Sequence, residues 1–136
     1  MKSVMGACLI ASILICGANA QNSPKRVLTK GVSVQMAVAS HAVEMAAADE
    51  PNAQVVAITA DGKVFAGIKA VEPDALSNLS RGTVYVKADA RAPYQKVLTV
   101  LDALRGRSVV LITAAPENAA RQEITPPYGI ELIVSR

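Results

Sequence analysis

The chain has 136 residues, which is enough for one domain with its own apolar core. Its 14 basic and 11 acidic residues are interspersed and only 3% of its residues are aromatic, so the composition argues against a nucleic-acid-binding surface. Two cysteines are too few for a framework of several disulfides.

Residues 1–20 have the pattern of a secretory signal peptide. Lys2 precedes an apolar run at residues 5–16, and a small-x-small cleavage site follows at residues 18–20. The alternative is an uncleaved membrane anchor, which requires about 20 apolar residues, and polar residues interrupt this run earlier. Cleavage after residue 20 removes both cysteines and one of the 14 basic residues, which leaves 13 against 11 acidic residues.

Residues 21–52 are predicted to form a flexible lead. Within it, residues at about 32–38 are predicted to be an extended arm or a strand, because apolar and small or polar residues alternate. The apolar positions of this arm are Val32, Val34, Met36 and Val38. Residues 41–52 show no clean period and are predicted to be a linker, so the folded domain is expected to span residues 53–136.

A hairpin and a short helix are predicted next. Residues 54–59 and 63–67 are apolar runs that flank Asp61 and Gly62, and an Asp-Gly pair in this position is typical of a β-hairpin. Pro73 is typical of a first helical turn, and the residues up to position 79 can form about two turns of helix.

The clearest local pattern lies in residues 83–104. Val84 and Val86 alternate with Tyr85 and Lys87, which predicts a strand with one buried face. Apolar residues then recur at the spacing of one helical face, which predicts a helix with an apolar stripe. The members of this stripe are Tyr94, Val97, Leu98, Leu101 and Leu104.

The residues on either side of this helix predict where it begins and ends. Pro93 suits the first turn, and Asp89 is predicted to accept amide hydrogen bonds at the helix entrance. Gly106 is predicted to follow its end.

The remaining chain completes an α+β pattern. Residues 109–113 are β-branched and apolar, which predicts an interior strand, and three prolines predict a loop in residues 114–127. Residues 130–134 alternate again and predict a terminal strand. We therefore expect two layers, with two helices on one face of a mixed sheet of five to six strands.

No catalytic or cofactor-binding motif is present. The chain lacks a G-x-S-x-G elbow, a P-loop and a glycine-rich dinucleotide turn. His41 is spaced from Glu44 as two metal ligands can be, but further ligands are absent, so a solvated histidine is the better interpretation. We expect no enzymatic activity, no cofactor and no metal.

Several segments resemble one family. Residues 84–94 (VYVKADARAPY), the hairpin at residues 58–65 (ITADGKVF), and the motifs at 73–76 (PDAL) and 126–131 (PPYGIE) are similar to the periplasmic domain of the ExbD/TolR family of biopolymer-transport proteins. The similarity extends from about residue 31 to residue 134. It implies the ExbD/TolR-like arrangement of two helices on a mixed sheet.

The resemblance also implies a cellular role. Such proteins act with an ExbB- or TolQ-like channel protein, and they couple proton flow to a TonB- or TolA-like protein. This chain departs from them because residues 1–20 contain no acidic residue, whereas family members carry a functional aspartate in their transmembrane helix. The resemblance thus implies a periplasmic accessory without its own proton-handling group, or, if the N-terminal segment stays uncleaved, one anchored in the inner membrane and facing the periplasm.

Three functions follow as hypotheses. The first is a module that binds a channel or TonB/TolA-type partner and forms a homodimer, by strand addition at the arm or at the terminal strand. The second is a periplasmic module that binds peptidoglycan, as some family members do, and the third, least favoured, is a small enzyme. The residues assigned to partner binding are Val32, Val34, Met36, Asp89, Arg91 and Tyr94, although Tyr94 also fits a core position and Arg91 a solvated turn.

Overall fold

The computed structural model describes residues 31–119 and 126–133. These residues form one mixed sheet of seven strands, one α-helix and two 3-10 helices. In chain order the strands are β1 (Val43–Glu44), β2 (Gln54–Ile58), β3 (Val64–Ala66), β4 (Lys69–Ala70), β5 (Val84–Ala88), β6 (Val109–Thr113) and β7 (Tyr128–Leu132). The α-helix, α1, is Tyr94–Ala103, and the 3-10 helices are Ala46–Asp49 and Pro73–Asn78.

Strand β5 lies at the centre of the sheet. The strand order is β1-β7-β6-β5-β2-β3-β4, and β5 pairs in parallel with both β2 and β6. The other pairs are antiparallel. Parallel neighbours need a connection that returns to the same end of the sheet. Here α1 connects β5 to β6, while β3, β4 and the 3-10 helix Pro73–Asn78 connect β2 to β5.

The main core lies between one face of the sheet and these two helical segments. Nine residues form the buried cluster there: Val56, Ile58, Val64, Leu76, Val84, Val86, Val100, Leu104 and Val109. Full burial of an aliphatic side chain stabilises the folded state by roughly 1.5–3 kcal/mol. This face therefore carries most of the apolar stabilisation of the described residues.

The opposite face of the sheet carries a smaller core. Ala48, Val110 and Ile112 are buried there, and Met36, Met45 and Tyr85 pack against them. The contributing segments precede β2 in the chain: they are the arm and the 3-10 helix Ala46–Asp49. Strand β5 is consequently covered on both faces.

The α+β class with a mixed sheet is confirmed. The predicted hairpin is β2–β3, with Gly62 at φ +79°, a backbone conformation in which glycine is favoured. The predicted interior strand is β6, and the predicted helix is α1, followed by Gly106 at φ +80°. The second predicted helix is present as a 3-10 helix.

The predicted number of strands is wrong, since the sheet has seven rather than five or six. Strands β1 and β4 have two residues each, too few to produce an alternating pattern, and β1 lies in the predicted linker. The arm is not a strand of the sheet, because only Val38 forms an isolated parallel bridge, with Ala114.

The prediction that β5 has one buried face is also wrong. Lys87, expected on a solvated face, is only 2% exposed. The segments that cover this face lie about 40 or more residues upstream, so the alternation within β5 contains no information about them.

The interpretation of Tyr94 as a core residue is wrong as well, because its side chain is 75% exposed. The buried face of α1 is centred on Val100 and Leu104, which are both fully buried. Tyr94 and Leu98 lie one turn apart on the flank of that face, and Leu98 is 39% exposed. The spacing identified the apolar side of the helix, and packing on the sheet determined its orientation.

This orientation can be tested with two leucine truncations, one in α1 and one at the residue that follows it. We expect Leu104→Ala to lower the free energy of unfolding by about 3 kcal/mol, because it opens a cavity at a fully buried position. Leu98→Ala is the matched control and should cost less than about 1 kcal/mol, since that side chain is partly solvated. Urea denaturation followed by circular dichroism measures both, and equal losses would contradict the described packing.

Candidate functional site

The arm crosses the end of the sheet where the parallel strands finish. Gln35 accepts a hydrogen bond from the Ala90 N–H at 2.7 Å, and Ala37 accepts one from the Ala114 N–H at 2.9 Å. Ala90 follows β5 and Ala114 follows β6, so the arm lies beside the carboxyl ends of both strands. We call this end of the sheet the carboxyl edge.

Asp89 joins the arm to the turn between β5 and α1. Its side chain is 4% exposed, and its carboxylate accepts the backbone N–H of Gln35 at 3.0 Å. The same carboxylate accepts the backbone N–H of Arg91 at 3.0 Å, and the Arg91 guanidinium donates to both carboxylate oxygens at 3.0 and 3.2 Å. The hydrogen bonds from Arg91, and then the one from Gln35, hold the pKa of Asp89 well below its usual range.

Asp89 accepts amide hydrogen bonds as predicted, but it does so in the turn before α1 and not as a cap of the helix. The residue that precedes the first turn of α1 is Pro93, and no side chain caps this helix. Asp89 instead accepts the N–H two residues ahead, which is the geometry of an Asx turn, and holds a segment 54 residues upstream. Its carboxylate is saturated with donors and remains ionised, so it is suited to binding the arm and unsuited to accepting a proton in catalysis.

The other residues assigned to partner binding are only partly brought together. Val32, Val34 and Met36 are half-buried, and Met36 packs in the smaller core. Arg91 is bound to Asp89 yet its side chain is 69% exposed, and Tyr94 is exposed on the flank of α1. One side of the arm is bonded to its own chain, through the backbone of Gln35 and the carbonyl of Ala37, so that side is not available to a partner strand.

The second predicted partner-binding segment, the terminal strand, has an incompletely paired outer side. Strand β1 pairs with β7 only at Tyr128 and Gly129, whereas β6 pairs with all five residues of β7. Among residues 31–119 and 126–133, therefore, no strand covers the outer side of β7 from Ile130 to Leu132. Ile130 is 37% exposed, and the following Ile133 is 95% exposed.

The direction of the backbone groups on β7 follows from one bond. The Met45 N–H donates to the Pro127 carbonyl at 2.7 Å across the β1–β7 pair. Backbone groups of an antiparallel strand alternate in direction with a period of two residues. The N–H and C=O of Gly129 and Glu131 consequently point toward the β1 side, and Glu131 lies beyond the end of β1.

A groove lies beside the hairpin at the carboxyl edge. It has a volume of about 440 Å³ and runs between the hairpin loop and the start of the 3-10 helix Pro73–Asn78. Lys63, Lys96, Asp61 and Glu72 line it, and Lys63 pairs with Asp61 at 3.2 Å. This mixture of charges suits a ligand that carries both amino and carboxylate groups.

Sequence reasoning missed a group of arginines at the opposite end of the sheet. Arg81, Arg105 and Arg107 line one depression together with Gly82 and Gly106. The close spacing of Arg105 and Arg107 in the sequence is a partial indication of this group. Arg81 joins them because β5 and β6 are parallel neighbours, so the residues before each strand meet.

Two features are absent from the part of the chain that the structure describes. The described residues contain no group of three or more His, Cys, Asp or Glu side chains placed to hold a metal ion. Across the same part of the chain, no helix has the length and hydropathy needed to span a bilayer.

Comparisons with protein-family models, with curated proteins and with solved structures find no match to this chain. The ExbD/TolR resemblance therefore rests on the sequence motifs alone.

The bond between Asp89 and the arm can be tested with Asp89→Asn. An asparagine cannot accept from both the Gln35 and Arg91 amides without turning its own NH₂ toward a donor, so we expect lower stability and faster hydrogen exchange at the Gln35 N–H. Asp74→Asn, at an exposed carboxylate, is the matched control and should leave both unchanged.

The same variant has a defined pH dependence. The pKa of Asp89 is lower in the folded state than the value of about 3.9 in an unfolded chain, so its contribution is complete above that value and lost as the pH falls through the folded-state pKa. The stability difference between wild type and Asp89→Asn should thus be constant from neutral pH to about 5 and shrink on further acidification. A difference that grows in acid would contradict this assignment.

Proposed function

We propose that the protein is a non-enzymatic, ExbD/TolR-like accessory of the cell envelope that binds a partner protein by strand addition at β7. The partner is a TonB/TolA-type protein or an ExbB/TolQ-like channel protein of proton-motive-force-linked transport, and the accessory acts in the periplasm, as a homodimer. The class of partner comes from the sequence resemblance. The binding surface comes from the incomplete pairing of β7.

The outer side of β7 has the properties that strand addition requires. An added strand gains main-chain hydrogen bonds from outward-pointing backbone groups and side-chain contacts at alternate positions. Glu131 supplies the backbone groups, and the half-exposed Ile130 supplies an apolar contact on the helical side of the sheet. The exposed stretch is short, so the added segment spans only about three or four residues and the interaction is reversible.

The ends of β7 limit the position of the partner. Strand β1 pairs with Tyr128 and Gly129, so an added strand can pair only with the residues of β7 that follow Gly129. At that place the chain turns away, with the Ala42 N–H donating to the Ala39 carbonyl at 3.2 Å. A partner strand therefore continues the line of β1 and needs no displacement of a described strand.

The accessory role follows from the N-terminal sequence. Residues 1–20 contain no acidic residue, and the first one in the chain is Glu44, which lies on β1. The chain thus offers the partner-binding domain and leaves proton transfer to its partners.

Glu131→Pro is the variant that separates strand addition from other modes of binding. Proline removes the outward N–H of an edge position without removing a bond to β6, so the fold is retained while the added strand loses a donor. We expect crosslinking to the partner, or to a second copy, to fall about tenfold, the effect of one lost backbone hydrogen bond together with a steric block. Glu131→Gln keeps the N–H and is the matched control, which should crosslink like wild type.

The measurement is crosslinking in intact cells followed by identification of the adducts. The proposal is supported if adducts contain a TonB/TolA-type protein, an ExbB/TolQ-like protein or a second copy of this chain, and if Glu131→Pro depletes them. It fails if none of these adducts forms, or if Glu131→Pro and Glu131→Gln behave alike.

Peptidoglycan binding is the second candidate, and the groove beside the hairpin is the observation that favours it. Stem peptides carry amino and carboxylate groups that complement Glu72 and Lys96. We expect Lys96→Gln to reduce co-sedimentation with purified cell wall. Gln95→Glu, which changes the charge equally at the neighbouring position, is the control because Gln95 does not line the groove. Absence of co-sedimentation for the wild type would exclude this function.

A further inference from the structure

The end of the sheet opposite the arm collects cationic and aliphatic side chains. The residues before β5 and before β6 lie there, because both strands start at this end, and the turn between β3 and β4 lies there because β3 runs antiparallel to β2. The end of β7 also reaches this level, since Leu132 pairs with Val109. We call this surface the amino edge, and its residues are Ile68, Arg81, Arg105, Arg107 and Ile133.

The arginines of the amino edge form a depression of about 520 Å³. Arg107 donates to three neutral carbonyls, those of Ser77, Leu79 and Ser80, at 2.6 to 2.8 Å. Within the described part of the chain neither Arg107 nor Arg81 pairs with a carboxylate, and Arg105 pairs with Asp102. Arg107 is thus fixed against neutral carbonyls and keeps its positive charge, and Arg81 is exposed.

The surrounding charges leave the amino edge cationic. Two acidic residues lie near the arginines: Asp102, which pairs with Arg105, and Glu50, in an adjoining depression that Arg81 also lines. Lys69, the first residue of β4, is exposed beside Ile68 and adds a further positive charge. Guanidinium groups bind phosphate groups by paired, charge-assisted hydrogen bonds, and within the described residues the exposed Arg81 has no hydrogen bond or ion pair that would compete.

Two aliphatic side chains flank the arginines. Ile133 is 95% exposed and Ile68 is 83% exposed, which makes them the two most exposed large hydrophobic residues of the described chain. Ile133 follows β7 and Ile68 follows β3, so they stand on either side of the residues that precede β6 and β5. Four strand spacings separate β7 from β3, a distance of about 19 Å.

We propose that the amino edge docks on a bilayer surface that contains anionic phospholipids. The arginines bind the lipid phosphates, and Ile68 and Ile133 enter the boundary between headgroups and acyl chains. This combination of charge and apolar contact is what interfacial membrane binding requires. A soluble phosphate or a nucleic acid explains the arginines but gives no reason for two protruding isoleucines at the same edge.

The orientation that results is compatible with the proposed partner binding but does not depend on it. The amino edge would face the membrane, and the carboxyl edge, with the arm, Asp89 and the hairpin groove, would face away from it. The outer side of β7 would lie at the side of the domain and remain accessible to a partner protein. Partner crosslinking and membrane docking therefore succeed or fail separately.

The test is co-sedimentation with lipid vesicles of the purified protein without residues 1–20, the predicted signal peptide. We expect binding to phosphatidylcholine vesicles that contain about one third phosphatidylglycerol, weak binding to pure phosphatidylcholine, and a loss of affinity of about fivefold for each arginine in the double variant Arg81→Gln/Arg105→Gln. The variant Ile68→Ser/Ile133→Ser should lose about tenfold. All four positions are exposed, so the variants should retain the wild-type circular dichroism spectrum.

The control Gln95→Glu/Asn118→Asp makes the same change in net charge at two exposed positions near the carboxyl edge, and it should bind vesicles like wild type. The proposal is overturned if wild type does not prefer the anionic vesicles, or if the control loses as much affinity as the arginine variant. It is also overturned if soluble glycerol phosphate at about 10 mM, well above the affinity of a specific phosphate site, releases the protein while the isoleucine variant binds normally. Tighter binding to duplex DNA than to the vesicles would overturn it too.

Discussion

The parallel pairing of β5 with β2 on one side and β6 on the other is the constraint on which the rest of the structure depends. Parallel strands cannot be joined by a tight turn, so the chain must cross a face of the sheet twice. Both crossings use the same face, where α1 and the 3-10 helix Pro73–Asn78 bury the valine-rich side of the three strands. The main core exists because of these crossings.

The same pairing divides the surface of the domain into two edges with different chemistry. All residues that follow the parallel strands meet at the carboxyl edge, where Asp89 binds the arm and the hairpin loop forms a groove. All residues that precede these strands meet at the amino edge, where Arg81 and Arg107 come together. Parallel strands thus bring together segments that are far apart in the sequence.

Strand β7 adds a third surface, the incompletely paired border of the sheet, and it does so because β1 is short. Strand β1 has two residues and pairs only with the first two residues of β7. The remaining backbone groups lie at the border of the sheet, which natural proteins usually protect or use for binding. In this domain the exposed Ile130 beside them favours use over protection.

The sequence alone determined the elements whose own residues carry the information. The Asp-Gly pair predicted the β2–β3 hairpin, the β-branched run predicted β6, and the change of period after residue 88 predicted β5 and α1. It also identified Asp89 as an acceptor of amide hydrogen bonds. Each of these features depends on interactions between residues close in the chain, which a local pattern can reveal.

Only the tertiary structure decided which face of α1 is buried, what covers the second face of the sheet and what Asp89 holds. Tyr94 is exposed because helix orientation depends on the sheet beneath it, and Lys87 is buried because an upstream segment covers β5. The amide partner of Asp89 lies 54 residues away, and Arg81 meets Arg107 only through the strand order. These contacts join segments that are far apart in the chain, and no spacing within one segment specifies them.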